Sequence, residues 1–257
     1  MVRVTTTDRR TALRATAGLL TAGAFTAGCA TSGAVAHPAP TTHASGKPPA
    51  AGPRHFSGQP AQLTHGPRTH PRVALTFHGQ GDPAIARALL TEAEKHGARV
   101  TVLAVGTWLD AHPDLARRIL DGGHDLGNHT LHHLDINAMS EAEATQEITG
   151  CADRLRRLTG SIGTWFRPSR TARASPLVER LAHRAGYPHV LSYDVDSLDF
   201  TSPGAPAVAR KVLGEVRNGS VVSLHFGYDD TVAALPAVLE ELDRRGLAAV
   251  TTTELFS

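Results

Sequence analysis

Short apolar runs alternate with amphipathic ones through residues 71–257 of this chain, and no other feature narrows the choice of fold as far. The apolar runs have the length of buried strands, and the amphipathic stretches have the period of helices that cover one face of a sheet. Strict alternation of the two predicts the α/β class, a parallel sheet with crossover helices. Periodicity alone leaves open whether the sheet closes into a barrel or stays open and doubly wound. The predicted strands are 73–77, 99–105, 125–128, 163–166, 189–193, 220–224 and 248–251, and the predicted helices are 83–95, 113–121, 140–158, 176–185, 205–216 and 231–244.

The first 36 residues have the pattern of an export signal. Arg9, Arg10 and Arg14 precede a run of uncharged, mostly small residues, and Ala-Val-Ala at 34–36 provides a cleavage site. The paired arginines fit a twin-arginine signal as well as an ordinary secretory one, and both stay open. Cys29 resembles the lipidated cysteine of a bacterial lipoprotein, so a lipid anchor is an alternative to cleavage after residue 36. Either route predicts a protein that is secreted or held at the cell surface.

Residues 37–70 are rich in Pro, Thr, Ala, Gly and His and show no apolar periodicity, which predicts a flexible linker. These two tails hold seven of the chain's 26 Lys and Arg but only one of its 24 Asp and Glu. Residues 71–257 therefore carry 19 basic and 23 acidic side chains, a formal net charge of −4. A domain of that charge has no electrostatic reason to bind nucleic acid. We expect residues 71–257 to form one domain that acts as a monomer.

Polar side chains follow five of the predicted strands, each at the C-terminal end of its strand. They are His78, His129, Arg167, Asp194 and His225. In parallel α/β folds the active site is assembled along that edge. Five such residues on one edge predict a functional site there.

His129 and His133 stand four residues apart and indicate a metal site. Two imidazoles at this spacing can share one zinc-like ion when a third ligand and an open position lie nearby. The stretch in which the third ligand is expected, 76–81, contains no carboxylate, and the next one along the chain is Asp82. We expect zinc, with cobalt and nickel as alternatives.

Over essentially all of residues 71–257 the chain resembles the NodB-type polysaccharide deacetylases, carbohydrate esterase family 4. Five ordered motifs carry the resemblance: VALTF at 73–77, GHDLGNHTLHH at 123–133, FRP at 166–168, DVDSLD at 194–199 and GSVVSLH at 219–225. The resemblance implies a distorted (β/α) barrel of about seven parallel strands. It also implies metal-assisted removal of acetyl groups from an N- or O-acetylated polysaccharide.

The resemblance implies a chemical role for several of these residues. His129 and His133 hold the metal ion, which activates a water molecule and polarises the acetyl oxygen. His225 protonates the leaving group as general acid, and Asp196 orients His225. Arg167 steers the catalytic base.

Substrate contacts are implied in the same way. Backbone N–H groups just after Pro168 bind the oxyanion, Leu224 lines the slot for the acetyl methyl group, and Tyr193 contacts the sugar. The motif here reads Arg-Pro-Ser-Arg from 167 to 170, so it lacks the second proline and the aromatic residue that usually follow.

The main departure from the family falls on the catalytic carboxylates. The family reads TFDDG, in which the first Asp is the base and the second is a metal ligand, but this chain has His78 and Gly79 there. In one hypothesis His78 replaces them as third ligand or as base, because an imidazole with a pKa of about 6.5 suits either task. In the other, Asp82 folds back to bind the ion, since Gly79 and Gly81 give the loop freedom.

Two functional classes stay open. One is an extracytoplasmic deacetylase that acts on cell-wall glycan, chitin oligomers or acetylated xylan. The other is a deacetylase-fold protein that binds glycan with little or no catalysis. A metal-binding protein that uses the histidine-rich linker is a weaker third, because it leaves the polar strand ends without a role.

Overall fold

The structure, a computed structural model, describes residues 50–257. The predicted export signal, with Cys29, and residues 37–49 of the predicted linker lie outside the described residues. Within 50–257, no helix combines the length and the apolar character that a membrane crossing requires.

Strands and helices alternate along the described chain as the sequence predicts. The strands are β1 Gln62–Leu63, β2 Arg72–Gly79, β3 Thr101–Ala104, β4 Asp125–Asn128, β5 Val190–Leu191, β6 Val195–Asp196, β7 Val221–His225 and β8 Ala248–Ala249. The α-helices are α1 Pro83–Lys95, α2 Gly106–Ala111, α3 Pro113–Asp121, α4 Glu141–Thr159, α5 Pro176–Arg184, α6 Ala205–Glu215, α7 Asp229–Arg244 and α8 Thr252–Leu255. Single 3-10 turns form at Ile136–Ala138 and Asp199–Thr201.

All ladders between these strands are parallel. The sheet runs β4-β3-β2-β7-β6, with β8 beside the start of β2. β1 pairs with β5, and single bridges from Phe166 to Asn128 and Val190 connect that pair to the end of β4. The predicted α/β class with parallel strands is confirmed. Within the described residues no ladder joins β6 to β1, so hydrogen bonds between strands do not close a barrel at that point.

Several strands are shorter than predicted. The predicted strand 163–166 contributes one bridge residue, Phe166, and the predicted strand 189–193 contributes β5 alone. β6 and α2 are not predicted at all. Segments that pair through one or two residues are too short for alternation to reveal them.

Residues 50–70, predicted as part of the linker, pack against the domain. β1 pairs with β5, and Leu63 is buried. The ring of Phe56 stacks on Trp165 with centroids 5.5 Å apart. The prediction of a flexible linker is therefore wrong for this segment. Its backbone hydrogen bonds and isolated apolar residues anchor it without any periodic pattern.

The longest helix among residues 50–257, α4, begins at a capping box, at the position where the sequence predicts a helix to start. The side chain of Ser140 accepts a hydrogen bond from the N–H of Glu143, and the Glu143 carboxylate accepts one from the N–H of Ser140. The helix ends at Gly160, whose φ of 79° is a left-handed conformation that glycine adopts without strain. The helix lies behind the histidine motif and, as shown below, helps to hold it.

Candidate active site

The C-terminal ends of β2, β4 and β7 meet at one edge of the sheet. His78 on β2 is the register partner of His225 on β7, and His129 follows the last residue of β4. Arg167 follows the bridge residue Phe166. Four of the five polar residues predicted at strand ends therefore gather at one site.

The fifth, Asp194, lies elsewhere. Its carboxylate accepts hydrogen bonds from Arg68 at 2.7 Å and from the N–H of Val221 at 2.8 Å. The predicted strand before it ends at Leu191, so Asp194 precedes β6 and stands at the N-terminal end of that strand. It ties the segment before β2 to the start of β7 and has no place in the site.

His78, His129 and His133 form a cluster in which the candidate ligand nitrogens lie within 4.8 Å of one another. Nδ1 of His78 lies 2.7 Å from Nε2 of His129. Nδ1 of His129 lies 3.0 Å from the carbonyl oxygen of Arg167, which can only accept, so this nitrogen carries the proton. Nε2 of His129 then holds a lone pair, and the N–H of His78 donates to it.

The contacts of the other ring nitrogen of His78, Nε2, agree with a proton on Nδ1. Nε2 lies 3.0 Å from Oγ of Ser223 and 3.4 Å from Nη1 of Arg167. A guanidinium has donors only, so Nε2 of His78 is the acceptor and the imidazole is neutral. Ser223 is a site residue that the sequence analysis missed. Its place two residues before His225 on β7, and therefore on the same face, is the signal that could have found it.

Arg167 is a fixed positive charge beneath the site. Its side chain is fully buried and donates to the carbonyl oxygens of Leu191 and Ser192 at 3.3 and 3.1 Å. Burial lowers the pKa of Arg167 to about 10, which leaves the group charged at neutral pH. Because that charge faces His78, it disfavours a proton on the nearer nitrogen of the imidazole.

All three clustered histidines are neutral at physiological pH. Burial, followed by the neighbouring positive charges, lowers the pKa values of His78 and His129 well below the usual value of 6.5. Burial first, and Arg170 second, lower the pKa of His133 to about 4. Neutral imidazole is the form that binds metal ions.

The loop that carries His133 has an uncommon backbone. Thr130 and His133 have φ values of 68° and 59°, in the left-handed region that residues other than glycine rarely adopt. Oγ1 of Thr130 accepts a hydrogen bond from the N–H of His133 at 3.2 Å. The buried carboxylate of Glu147 on α4 accepts from the N–H and from Nδ1 of His132, at 2.8 and 2.6 Å. Nothing in the local sequence indicated Glu147, because it lies 15 residues from its partner.

The carboxylate that orients His225 is Asp199, and the prediction of Asp196 is wrong. Oδ1 of Asp199 accepts from Nδ1 of His225 at 2.7 Å, and Oδ2 accepts from the N–H of His225 at 2.8 Å. Leu198, with a φ of 56°, turns the chain back toward β7, so that Asp199 and not Asp196 faces the histidine. Burial alone would raise the pKa of Asp199, but the hydrogen bonds from His225 and Thr231 outweigh it and lower the pKa.

Asp82 does not join the histidines, contrary to the second hypothesis. Its carboxylate accepts a hydrogen bond from the N–H of Ala84 at 2.7 Å and caps the N-terminus of α1, with Pro83 as the first helical residue. The group of possible metal ligands around His129 contains His78 instead. Capping uses the carboxylate at the helix end, where the backbone N–H groups lack partners.

A cleft with a volume of about 370 Å³ opens above the histidines. Tyr193 lines it, and its predicted contact with the sugar stays a prediction; Asp196 lies beside Tyr193. Leu224 does not line it: successive side chains of a strand alternate, so Leu224 faces the outer hydrophobic core while its neighbours face the site. Pro168 is buried and is likewise absent from the cleft wall.

Solved structures with the same fold carry carbohydrate esterase domains. A crystal structure of a peptidoglycan N-acetylglucosamine deacetylase with a bound hydroxamate is 26% identical, with a TM-score of 0.72, and the match covers 76% of this chain and 92% of that one. A family 4 pseudoenzyme from Bacillus anthracis is 22% identical, with a TM-score of 0.73, and the match covers 77% and 70%. The fold is therefore that of the family 4 carbohydrate esterases.

Sequence comparison leads to the same family. Residues 65–190 match the family model for polysaccharide deacetylase. A Bacillus cereus peptidoglycan-N-acetylglucosamine deacetylase is 30% identical over 194 residues, which cover 74% of this chain and 90% of that protein. The deacetylase PgdA of Listeria monocytogenes is 28% identical over 189 residues, but the match spans only 40% of its length. The chain belongs to the polysaccharide deacetylase family, as its motifs implied.

Proposed function

We propose that this protein is a metal-dependent hydrolase that removes acetyl groups from an N- or O-acetylated polysaccharide outside the cytoplasm. One observation carries the proposal: His225, held by the buried Asp199, lines the same cleft as His78 and His133, two members of the cluster of three neutral histidines. A protein that only bound glycan would have no use for an imidazole oriented in this way. The relatives named as peptidoglycan deacetylases favour cell-wall glycan as the substrate.

The histidine cluster fits the donor set of a catalytic zinc site, which is three neutral imidazoles and one open position. Tetrahedral ligands at 2.0–2.1 Å from zinc lie about 3.4 Å from one another, whereas Nδ1 of His78 and Nε2 of His129 are 2.7 Å apart. If these two nitrogens were to hold one ion, Nδ1 of His78 would have to lose its proton and the two rings would have to move apart. Cobalt and nickel suit the same donors.

Ser223 allows His78 to change its tautomer. If Nδ1 served as a ligand, the proton of the neutral imidazole would reside on Nε2, which faces Oγ of Ser223 at 3.0 Å. The guanidinium of Arg167, 3.4 Å from Nε2, opposes this tautomer, so Ser223 would have to stabilise it. A hydroxyl can accept as well as donate, so Ser223 rotates its proton away and accepts that hydrogen bond. The carbonyl oxygen of Arg167 meanwhile keeps His129 in the tautomer that presents Nε2 to the ion.

A divalent ion held there would polarise the acetyl carbonyl and lower the pKa of the attacking water. His225 moves the protons. Its Nδ1–H is fixed on Asp199, and among residues 50–257 its Nε2 has no hydrogen-bond partner. With His78 used as a ligand, His225 takes the proton of the water and passes it to the leaving group, acting as base and then as acid.

A second candidate is glycan binding without turnover, and two observations favour it. A Cβ at position 79 would lie 2.9 Å from Cγ1 of Val102 and 3.0 Å from Cα of Ala104, so the position of the family's second aspartate is closed by packing. In the present geometry the proton of His78 also covers the lone pair that His129 needs for an ion.

The two candidates are separated by measuring metal and acetate together. The full chain is loaded with zinc, cobalt or nickel, bound metal is counted, and acetate release is followed on N-acetylglucosamine oligomers, peptidoglycan and acetylxylan. The hydrolase predicts one metal ion per chain and acetate release that a chelator and His225→Ala each abolish. Glycan binding with no acetate under any of the three metals establishes the second candidate instead.

A further inference from the structure

We propose that Arg170 makes the cleft selective for acetylated glycans that carry a carboxylate on or beside the acetylated sugar. The substrate class deepens the function proposed above, but the selectivity is a property of binding and can be measured without turnover. The inference depends on where Arg170 stands, on its lack of a partner and on the side chains around it.

Arg170 is placed on the wall of the cleft by a tethered loop. It is the first exposed residue after the buried stretch 167–169, and its φ of 55° lies in the left-handed region. On one side, Oγ of Ser169 donates to the carbonyl oxygen of Leu134 and accepts from Thr130. On the other, Oγ of Ser192 donates to the carbonyl oxygen of Ala172. Arg170 is therefore presented from a fixed backbone, which reduces the entropy lost when it binds a ligand.

The guanidinium of Arg170 has no carboxylate partner among residues 50–257, whereas ten of the 19 arginines there form an ion pair with a carboxylate. The side chain of Arg170 lines the cleft together with His78, His133 and His225. The acidic group that shares the cleft wall is Asp196, whose Oδ1 accepts the N–H of Leu198. Arg170 thus presents a free planar fork of donors, the geometry that binds a carboxylate through two hydrogen bonds.

The rest of the cleft wall suits a sugar ring. Tyr193, Phe200 and Tyr228 line it, and Phe200 is 45% exposed although it is a large apolar residue. Aromatic rings pack against the apolar faces of ligands, and a few polar groups among them fix orientation. Arg170 adds a positive charge to this wall, beside the aromatic rings.

The test compares ligands that differ only in charge. Isothermal titration with the full chain measures binding of a peptide-free peptidoglycan oligosaccharide with free lactyl carboxylates, of its methyl ester and of a chitin tetramer. We expect the acid to bind about fivefold more tightly than the ester, about 1 kcal/mol, the upper range for a solvent-exposed ion pair. Arg170→Gln should remove that difference and leave the affinity for the ester and the chitin tetramer unchanged.

Arg173→Gln is the matched control, because Arg173 is exposed on the same loop and does not line the cleft. The inference is overturned if the wild type binds acid and ester equally, if it binds none of the three ligands, or if Arg173→Gln produces the same loss. Acetate release from the same ligands is scored separately. Charge-selective binding without acetate release refutes the proposed hydrolase but supports the role of Arg170. Acetate release without charge-selective binding supports the hydrolase and refutes the role of Arg170.

Discussion

Nδ1 of His78 donates a hydrogen bond to Nε2 of His129 across 2.7 Å, between the ends of two strands whose residues are 51 positions apart in the chain. The bond puts an imidazole in the position where the family has a carboxylate pair and directs it at the first histidine of the metal motif. It also defines the tautomers of both rings. The proposed chemistry depends on whether Nδ1 of His78 can lose that proton, so that its lone pair is available to a metal ion.

His78→Ala should weaken zinc binding strongly, while Asp82→Ala should not. Loss of a group that merely orients a ligand already costs about 10- to 100-fold in metal affinity, so loss of a ligand should cost at least as much. Asp82→Ala removes a helix cap and should lower the free energy of unfolding by about 1 kcal/mol. Competition with a chromophoric chelator and thermal unfolding measure the two effects. If Asp82→Ala weakened zinc binding and His78→Ala did not, Asp82 would be the third ligand after all.

Asp199→Asn should lower turnover far more than Asp196→Asn. The amide cannot stabilise the protonated His225 that forms during proton transfer, and general acid–base catalysis contributes on the order of 10²–10⁴ to such rates. Asp196 lines the cleft without touching His225, so its substitution should act mainly on KM. Initial rates of acetate release over a range of glycan concentrations separate kcat from KM. Equal losses of kcat in the two variants would contradict the assignment.

The carboxylate of Asp199 should also make stability depend on pH. Its pKa is lowered below 3.8 in the folded protein. A lowered pKa stabilises the fold above pH 3.8, and that contribution is lost as the pH falls through the folded value. Asp199→Asn should therefore reduce the free energy of unfolding by about 1–3 kcal/mol near pH 6, with a difference from wild type that shrinks below pH 4. Thermal unfolding from pH 3 to 7 follows it, and a constant difference across that range would refute the prediction.

Glu147→Gln should weaken metal binding without unfolding the domain. Gln keeps the shape of the side chain but cannot accept both hydrogen bonds of His132 as a carboxylate does, so the strained loop that aims His133 should relax. We expect a loss of about 10- to 100-fold in zinc affinity, as for other residues that orient ligands. Glu141→Gln, an exposed position on the same helix, is the control. Unchanged zinc affinity in Glu147→Gln would show that the loop holds its own conformation.

Gly79→Asp should fail to restore the family's ligand. Its Cβ would meet Val102 and the backbone of Ala104 at about 3 Å, and such overpacking costs about 1–3 kcal/mol. We expect a lower melting temperature and no gain in zinc affinity. Gly214→Ala, in α6 where a Cβ meets nothing within 4 Å, should leave melting unchanged or raise it. A stable Gly79→Asp variant with tighter zinc binding would contradict this prediction and would mean that β3 shifts to make room for the new side chain.

Much of the fold could be predicted from the sequence because it depends on local patterns. The start of α4 at the capping box of Ser140 and the buried run of β2 depend on residues close in sequence, and both elements are found where predicted. The segment before β2 was misjudged, because Phe56 and Leu63 are anchored by partners more than 100 residues away.

The sequence by itself determined the parallel α/β fold and the strand ends that carry His78, His129, Arg167 and His225, since these depend on local spacing or periodicity. Its motifs implied the family by resemblance. Only the tertiary structure decided which groups touch. In the folded protein the carboxylate of Asp199 reaches His225 because Leu198 turns the chain back, and the carboxylate of Asp82 caps a helix. The fold also brings Glu147 and Ser223 to the histidines. Hydrogen bonds form between groups that the folded backbone brings within about 3 Å of each other, a distance that spacing along the chain does not encode.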